Sequence, residues 1–289
     1  MTTNKNTLEH IIHGIFLLMG LVAVGCVLLI TVYLVISGIP AILEIGLIDF
    51  LVGKEWASTA TDPKYGIWAF ILTSIYGTAG AIVIGVPIGF MTAVYLSKIA
   101  SPKVKSMMQS AVSLLAGIPS VVYGLVGMLV LVPGIRKIFG VPDGASLLAA
   151  IIVLAIMILP SIIKMSITAL DAVPKEYEDA SLALGATPIE TYFKVSVPAA
   201  KSGIAAAVVL GVGRAIGEAM AVMMVAGNVP NMPDSIFQSV RFLTTAVSSE
   251  MAYSSGLQQQ ALFSIALVLF LFIMLINATL NFFLKRETE

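Results

Sequence analysis

Six long runs of apolar residues limit the folds that this chain can adopt. Each is long enough to cross about 30 Å of hydrocarbon as a helix. Only 11% of the 289 residues are charged, whereas soluble domains carry about 25%. Because lipid offers no hydrogen-bond partners to the backbone, runs of this length favour helices. The sequence therefore predicts an all-α membrane protein with six transmembrane helices, at residues 14–37, 66–97, 108–132, 146–169, 202–227 and 260–284.

The distribution of basic residues predicts the orientation of these helices. With six spans both termini lie on one side. The termini and the loops of that side hold ten lysines and arginines, against five in the other loops, a count that assigns Lys164 to the fourth loop. Because cytoplasmic loops carry the excess of Lys and Arg, we expect a multi-pass protein of the cell (inner or plasma) membrane with cytoplasmic N- and C-termini.

A long polar stretch, residues 171–201, interrupts the apolar chain on the expected cytoplasmic side. Pro174 suits a first helical turn, and Gly185 suits a left-handed cap that ends this helix. Residues 187–190 (Thr-Pro-Ile-Glu) have the pattern of a capping box that starts a second helix, which Pro198 is expected to end. A charged helix–turn–helix between two spans suggests a surface for a soluble partner. The alternative is a solvated connector.

Two charged residues, Arg214 and Glu218, lie within the fifth apolar run. Four positions apart, they are expected on one face of one helix. A charge at mid-bilayer costs about 2.5–3.5 kcal/mol on insertion scales, so this face is expected to point to the bundle interior or to a water-filled path. Arg214 offers a fork of donors that suits a tetrahedral oxyanion, with Glu218 orienting it. The alternative is a structural ion pair that locks this helix to its neighbours.

The third apolar run contains a motif that weakens helices, Gly117-Ile-Pro-Ser-Val-Val-Tyr-Gly-Leu-Val-Gly127. Its glycines and its proline are expected to kink the helix and to free backbone groups. Ser120 and Tyr123 would then face a translocation path. The alternative is a packing kink whose hydroxyls bond to the preceding turn.

The polar stretch also resembles a cytoplasmic motif of importer permeases of the ATP-binding-cassette (ABC) superfamily. That motif reads Glu-Ala-Ala, three residues, Gly, nine residues and Ile-x-Leu-Pro. Here Asp-Ala-Ser at 179–181, Gly185 and Val-Ser-Val-Pro at 195–198 keep its spacing, with mild departures at four positions. The resemblance implies the type I ABC importer permease fold and a helix that docks in a groove of a separate ATPase subunit. The residues expected to take part in this coupling are Glu176, Tyr177, Glu178, Asp179, Ala180, Leu182, Gly185 and Pro198.

We do not expect this chain to catalyse a reaction by itself. It lacks the Gly-x-x-x-x-Gly-Lys-Ser/Thr loop of P-loop ATPases, so ATP and Mg are expected on the partner ATPase and no cofactor on this chain. One cysteine and two histidines form no metal or redox motif. The net charge of zero offers no basic surface for nucleic acid. We therefore expect a transport subunit without catalytic residues.

A narrower resemblance is to the phosphate-specific importers. It rests on the third-run motif and on Arg-Ala-Ile-Gly-Glu at 214–218, followed by Ala-Met-Ala-Val, which resembles the C-type permease subunit. The resemblance implies a substrate path with Arg214, Glu218, Ser120 and Tyr123. It also implies four kinds of partner: a paralogous A-type permease, two ATPase subunits, an extracytoplasmic phosphate-binding protein and the lipid bilayer.

The expected organisation has three parts. Residues 1–66 form an N-terminal helix and extracytoplasmic loop, residues 67–284 the ABC transmembrane core with the coupling segment 171–201, and residues 285–289 a cytoplasmic tail. Two other functions remain open. A permease for sulfate, molybdate or another oxyanion would look alike, because these ions overlap phosphate in size and charge. A phosphate transporter driven by an ion gradient would need more intramembrane carboxylates and an inverted repeat.

Overall fold

The computed structural model describes residues 3–286, with the side chains of residues 9, 12–279 and 282. Its regular elements are helices and a two-stranded antiparallel hairpin, β1 (Trp56–Ala57) and β2 (Lys64–Tyr65). The α-helices are α1 (Thr3–Ile45), α2 (Leu47–Val52), α3 (Trp68–Val94), α4 (Pro102–Gly117), α5 (Ser120–Val126), α6 (Val132–Phe139), α7 (Leu147–Asp171), α8 (Lys175–Ala183), α9 (Pro188–Thr191), α10 (Val197–Ala199), α11 (Lys201–Gly217), α12 (Met220–Val225), α13 (Leu243–Glu250) and α14 (Gly256–Arg286). Three π-helical turns (Tyr95–Ile99, Gly127–Leu131 and Tyr192–Ser196) and one 3₁₀ turn (Met251–Tyr253) complete them.

Five helical segments of the described chain are long and apolar enough to cross a membrane, and a bent pair of segments brings the number to six. The prediction of an all-α membrane protein with six spans is therefore confirmed. The single segments are Ile12–Ile45, Trp68–Ile99, Ser120–Phe139, Leu147–Asp171 and Gly256–Thr279. The pair is Pro188–Ala199 with Lys201–Gly217, which meet at an angle of 72°.

The boundaries of two spans differ from the prediction by ten residues or more. The third span begins at Ser120 and not at residue 108, because the chain leaves the helix at Ile118 and Pro119. A residue before proline is driven out of the α region by the proline ring, and Ile118 is extended. The fifth span ends at Gly217 and not at residue 227. In both runs the helix resumes after two non-helical residues.

Helix α7 forms the centre of the bundle and packs between α3 and α11. Glycines on its two neighbours make the close approach possible. A Cβ added at Gly85 of α3 would lie 2.7 Å from Cδ1 of Ile158, and one added at Gly211 of α11 would lie 3.1 Å from Ile162. Small residues at helix contacts let backbones approach closely in membrane proteins, so this packing sets the positions of α3 and α11 around α7.

The segment between α12 and α14 turns back into the bundle. The amide of Leu243 donates to Oγ of Ser74 at 3.0 Å, which joins the start of α13 to α3. Oγ1 of Thr244 donates to the carbonyl of Glu218 at 2.8 Å. Because these partners lie inside the bundle, α13 starts beside the break that follows α11. Its far end carries Glu250, which accepts hydrogen bonds from Trp56 of the β1–β2 hairpin.

Candidate functional site: a substrate path and a coupling surface

Arg214 lies in α11, about 20 Å along the axis from the start of this helix at 1.5 Å per residue. Its side chain is half-buried. Among the described residues, Nη1 of Arg214 donates a hydrogen bond to Oγ of Ser161 in α7. The distance between these atoms, 3.4 Å, is long for a hydrogen bond. The ion pairs among the described residues do not include Arg214. Among the residues that the structure describes, its positive charge therefore has no carboxylate partner.

The prediction that Arg214 and Glu218 share one face of a continuous helix is wrong. Helix α11 ends at Gly217, and Glu218 has an extended backbone with φ −73° and ψ 128°. Its Oε1 accepts the amide of Ala221 at 3.0 Å, so the carboxylate caps the start of α12. The first amides of a helix lack partners within that helix, and Glu218 supplies one. Arg214 and Glu218 form no ion pair with each other, so the alternative of a structural ion pair is wrong as well.

The third apolar run is broken as its motif predicts. Pro119 precedes the first residue of α5 with an extended backbone. The hydroxyl of Tyr123 reaches back across the break and donates to the carbonyl of Leu115 at 2.7 Å. Tyr123 therefore bonds to the end of the preceding helix, as in the packing alternative. Ser120, the first residue of α5, is half-buried.

The two breaks lie together because α5 and α12 pack against each other in parallel. A Cβ added at Gly124 would lie 2.9 Å from Cα of Ala221, and one added at Gly127 would lie 2.8 Å from Cγ1 of Val225. Ser120 lies four residues before Gly124, and Met220 lies one residue before Ala221, so the two breaks are within about one helical turn of each other. The structure thereby gathers the predicted path residues in one region: Ser120, Tyr123, Arg214 and Glu218.

Two polar residues of α7 were not recognised as site candidates from the sequence, Ser161 and Lys164. Ser161 is the hydrogen-bond partner of Arg214, and a serine in an apolar helix carries no distinctive signal. Lys164, assigned to the fourth loop from the sequence, lies within α7, two turns before Asp171. That assignment was wrong because α7 continues past this lysine to Asp171. Lys164 lines a cavity of about 300 Å³ together with Gln109, Val112, Ser113, Ile163, Ile167 and Thr168.

The coupling segment has the predicted cap at Gly185. This residue follows α8 with φ +88°, in the left-handed region. Its amide donates to the carbonyl of Leu182 at 2.9 Å, and the amide of Ala186 donates to that of Ser181 at 3.3 Å. This pair of bonds is the Schellman motif. Pro174 stands one position before the first residue of α8 and so precedes the first turn.

The second helix of the segment starts as predicted but ends differently. Thr187 and Glu190 form the capping box at the start of α9. Pro198 does not end this helix, because a π-helical turn leads into α10, which contains Pro198 and continues to Ala199. The amide of Val197 bonds five residues back to Tyr192 in that turn. The chain then bends by 72° into α11.

Most of the predicted coupling residues on α8 have exposed side chains, and one of them has its side chain turned to the bundle. Tyr177 and Leu182 are exposed, and so is Leu184 beyond the helix, at 90%. Glu178 is the exception, since its carboxylate bonds to Lys98 and Ser196. The exposed members of the predicted coupling set are Glu176, Tyr177, Asp179, Ala180, Leu182, Gly185 and Pro198.

Comparison with known proteins agrees with this architecture. Residues 85–287 match the family described as "binding-protein-dependent transport system inner membrane component". The probable ABC transporter permease protein YqgH of Bacillus subtilis (strain 168) is 41% identical over 266 residues, 89% of this chain and 86% of that protein. The phosphate transport system permease protein PstC of Pasteurella multocida (strain Pm70) is 33% identical over 77% of this chain and 75% of its own length.

A solved structure supports the fold. The inward-facing MetNI methionine ABC transporter superposes with a TM-score of 0.57 at 23% identity, over 78% of this chain and 95% of the matched chain. Together with the spans and the coupling segment, the sequence match over residues 85–287 settles the family. This chain belongs to the inner-membrane permease components of binding-protein-dependent transport systems, which are ABC importers.

Proposed function

We propose that this chain is the C-type permease subunit of an ATP-driven phosphate importer, in which it forms half of the translocation path. Its relatives in Pasteurella multocida and Haemophilus influenzae are named phosphate transport system permease proteins PstC. The observation that carries the proposal is the guanidinium of Arg214, which lies inside a span without a carboxylate partner among the described residues.

An oxyanion is the ligand that best compensates this charge. An uncompensated charge at mid-bilayer costs about 2.5–3.5 kcal/mol on insertion scales. A guanidinium carries five N–H donors in a planar fork that matches the oxygens of phosphate. Since the bond to Ser161 is long, at 3.4 Å, most of these donors remain for a substrate. Glu218 holds the neighbouring break, and its negative charge would oppose binding that is too tight for release.

A polar face of α7 extends from this position towards the coupling segment. Ser161, Lys164 and Thr168 are spaced three and four residues apart and therefore share one face of the helix. Gln109 and Ser113 of α4 lie across a cavity of about 300 Å³ from this face. Lys164 is exposed and takes part in none of the ion pairs among the described residues. We infer that the anion leaves Arg214 along this face.

The family and the exposed side chains of α8 support a proposal for the assembly. ABC importer permeases work with ATPase subunits and a binding protein. We propose an A-type paralogue as the second permease, two ATPase subunits that dock on α8, and a phosphate-binding protein at the opposite end, beside the β1–β2 hairpin. In this arrangement both termini are cytoplasmic. Residues 1–66, 67–284 and 285–289 then serve as N-terminal extension, transport core and tail.

Uptake by the reconstituted complex tests the role of Arg214. The full complex in proteoliposomes is supplied with ATP on the ATPase side and with labelled phosphate and binding protein on the other. Arg214→Gln should reduce uptake by about ten-fold or more, because a charge-assisted hydrogen bond worth 1.5–3 kcal/mol is lost. Arg136→Gln, which removes an exposed arginine at the end of α6, is the matched control. Wild-type uptake by an assembled Arg214→Gln complex would refute the substrate role.

The same assay separates phosphate from the other functions considered. Unlabelled phosphate should compete with the label far more strongly than sulfate or molybdate does. Equal competition by sulfate or molybdate would assign the cargo to another oxyanion. Uptake that persists in vesicles without the ATPase subunits would favour a transporter driven by an ion gradient.

A further inference from the structure

Glu178 of the coupling helix α8 is bound to the transmembrane bundle. Its Oε1 lies 2.5 Å from Nζ of Lys98, which is in the π-helical turn that ends α3. The same ammonium donates to the carbonyl of Leu170, near the end of α7, at 3.0 Å. Oγ of Ser196, in the turn before α10, donates to Glu178 at 2.8 Å. These four residues, here called the α8 anchor, join four elements of the fold.

The α8 anchor is enclosed, although it lies at the end of the bundle. The side chains of Lys98 and Glu178 are exposed by only 10% and 19%. Exposed ion pairs contribute little, because water screens them and their side chains lose entropy. An enclosed pair that also bonds to a carbonyl and a hydroxyl is held more strongly, since the removal of one partner leaves the other charge uncompensated. The geometry of this contact is therefore well defined.

Helix α8 has few other attachments to the bundle. None of its residues is buried, so packing of an apolar face does not hold it in place. A hydrogen bond between Ser181 and Thr191 ties its end to α9, within the coupling segment itself. Nearby, Asp171 at the end of α7 accepts hydrogen bonds from Ser97 and Lys105. These bonds join α7 to the end of α3 and to α4, and they do not involve α8.

We propose that Lys98 and Glu178 are positioning residues that transmit the movement of α8 to the membrane-spanning helices. A rigid helix that is pushed by a partner moves the bundle only where it is attached. The α8 anchor attaches it to the ends of α3 and α7 and to the turn that leads into α11. The exposed side chains of α8 remain free to contact the ATPase. This proposal rests on the proposed coupling role of α8 and does not depend on which oxyanion is transported.

The test is the ratio of substrate transported to ATP hydrolysed by the full complex in proteoliposomes. Glu178→Gln and Lys98→Met should each assemble with the ATPase and hydrolyse ATP. The transport ratio should fall about five-fold or more, since coupling free energies between sites correspond to factors of about 5–150. Lys98→Arg, which keeps the charge, should retain most of the ratio. The double variant Lys98→Glu with Glu178→Lys should recover part of it.

The matched control is Lys194→Gln. It removes an exposed ion pair with Glu190 inside the coupling segment without touching the bundle, and its transport ratio should remain that of the wild type. An unchanged ratio in both Glu178→Gln and Lys98→Met would overturn the proposal. A complex that loses its ATPase with Glu178→Gln but keeps it with Lys98→Met would also overturn it, because Glu178 would then contact the ATPase directly. If phosphate is not the cargo, the ratio measured with the transported oxyanion gives the same answer.

Discussion

The left-handed residue at the end of α8 permits a quantitative test of the coupling segment. Gly185 has φ +88°, and a Cβ added there would meet no atom within 4 Å. The substitution Gly185→Ala therefore changes the conformational energy of the backbone without a steric clash. A residue with a Cβ costs about 1–2 kcal/mol in the left-handed helical region. We predict that Gly185→Ala weakens the turn by this amount.

The cost is comparable to what holds the turn together. Its two backbone hydrogen bonds, from Gly185 to Leu182 and from Ala186 to Ser181, contribute about 0.5–1.5 kcal/mol each. A loss of about 1–2 kcal/mol cancels much of that stabilisation and lowers the population of the capped turn about 5–30-fold. Asparagine tolerates the left-handed region better than alanine, so Gly185→Asn should lose less.

The affinity of the purified permease for its ATPase subunits, measured in detergent, reports on this turn. We expect binding to weaken in the order wild type, Gly185→Asn, Gly185→Ala. Gly134→Ala is the matched control, because Gly134 lies within α6 and a Cβ there also meets nothing within 4 Å. Wild-type affinity in Gly185→Ala, or equal losses in the alanine and asparagine variants, would refute the argument from backbone conformation.

Three further outcomes are expected. Gly124→Val should lower the folding free energy of the purified complex by about 1–3 kcal/mol, because its Cβ would lie 2.9 Å from Cα of Ala221. An unchanged melting temperature would contradict the packing of α5 on α12. Lys164→Gln should slow uptake of labelled phosphate less than Arg214→Gln does, and an equal or larger loss would contradict a release path that begins at Arg214. Burial alone would raise the pKa of Glu178, but hydrogen bonds from Lys98 and Ser196 and the charges of Lys98 and Lys175 lower this pKa below 4.5. The stabilising contact of Glu178 is therefore complete above pH 4.5 and is lost only as the pH falls through the lowered pKa. The transport ratio should accordingly not decline between pH 7 and 5 through loss of this contact.

The features that were predicted correctly depend on neighbours in sequence. Apolar run length predicts the spans, and the cap at Gly185 and the box at Thr187 and Glu190 each need only a few consecutive residues. The break before Ser120 was also foreseen, since Gly117 and Pro119 weaken a helix wherever they lie. In each case the local chain supplies both the interaction and the geometry that it requires.

The relation of Arg214 to Glu218 could not be obtained in this way. The i, i+4 spacing places two residues on one face only while the helix continues, and here it ends at Gly217. Two interactions stabilise the break. The carboxylate of Glu218 accepts the amide of Ala221, and its carbonyl accepts the hydroxyl of Thr244. The second comes from α13, a tertiary contact that residues around position 218 do not encode.

The contacts of Glu178 could not be predicted for a related reason. Helix α8 buries none of its residues, so no apolar periodicity distinguishes the side of the helix that faces the bundle. Glu176, Glu178 and Asp179 are therefore equivalent by composition, and all three were assigned to the ATPase surface. What separates them is the position of Lys98, 80 residues earlier in the chain, which depends on where α3 ends. A charge in a coupling helix can thus serve the permease itself, and only the contacts of its side chain reveal which partner it holds.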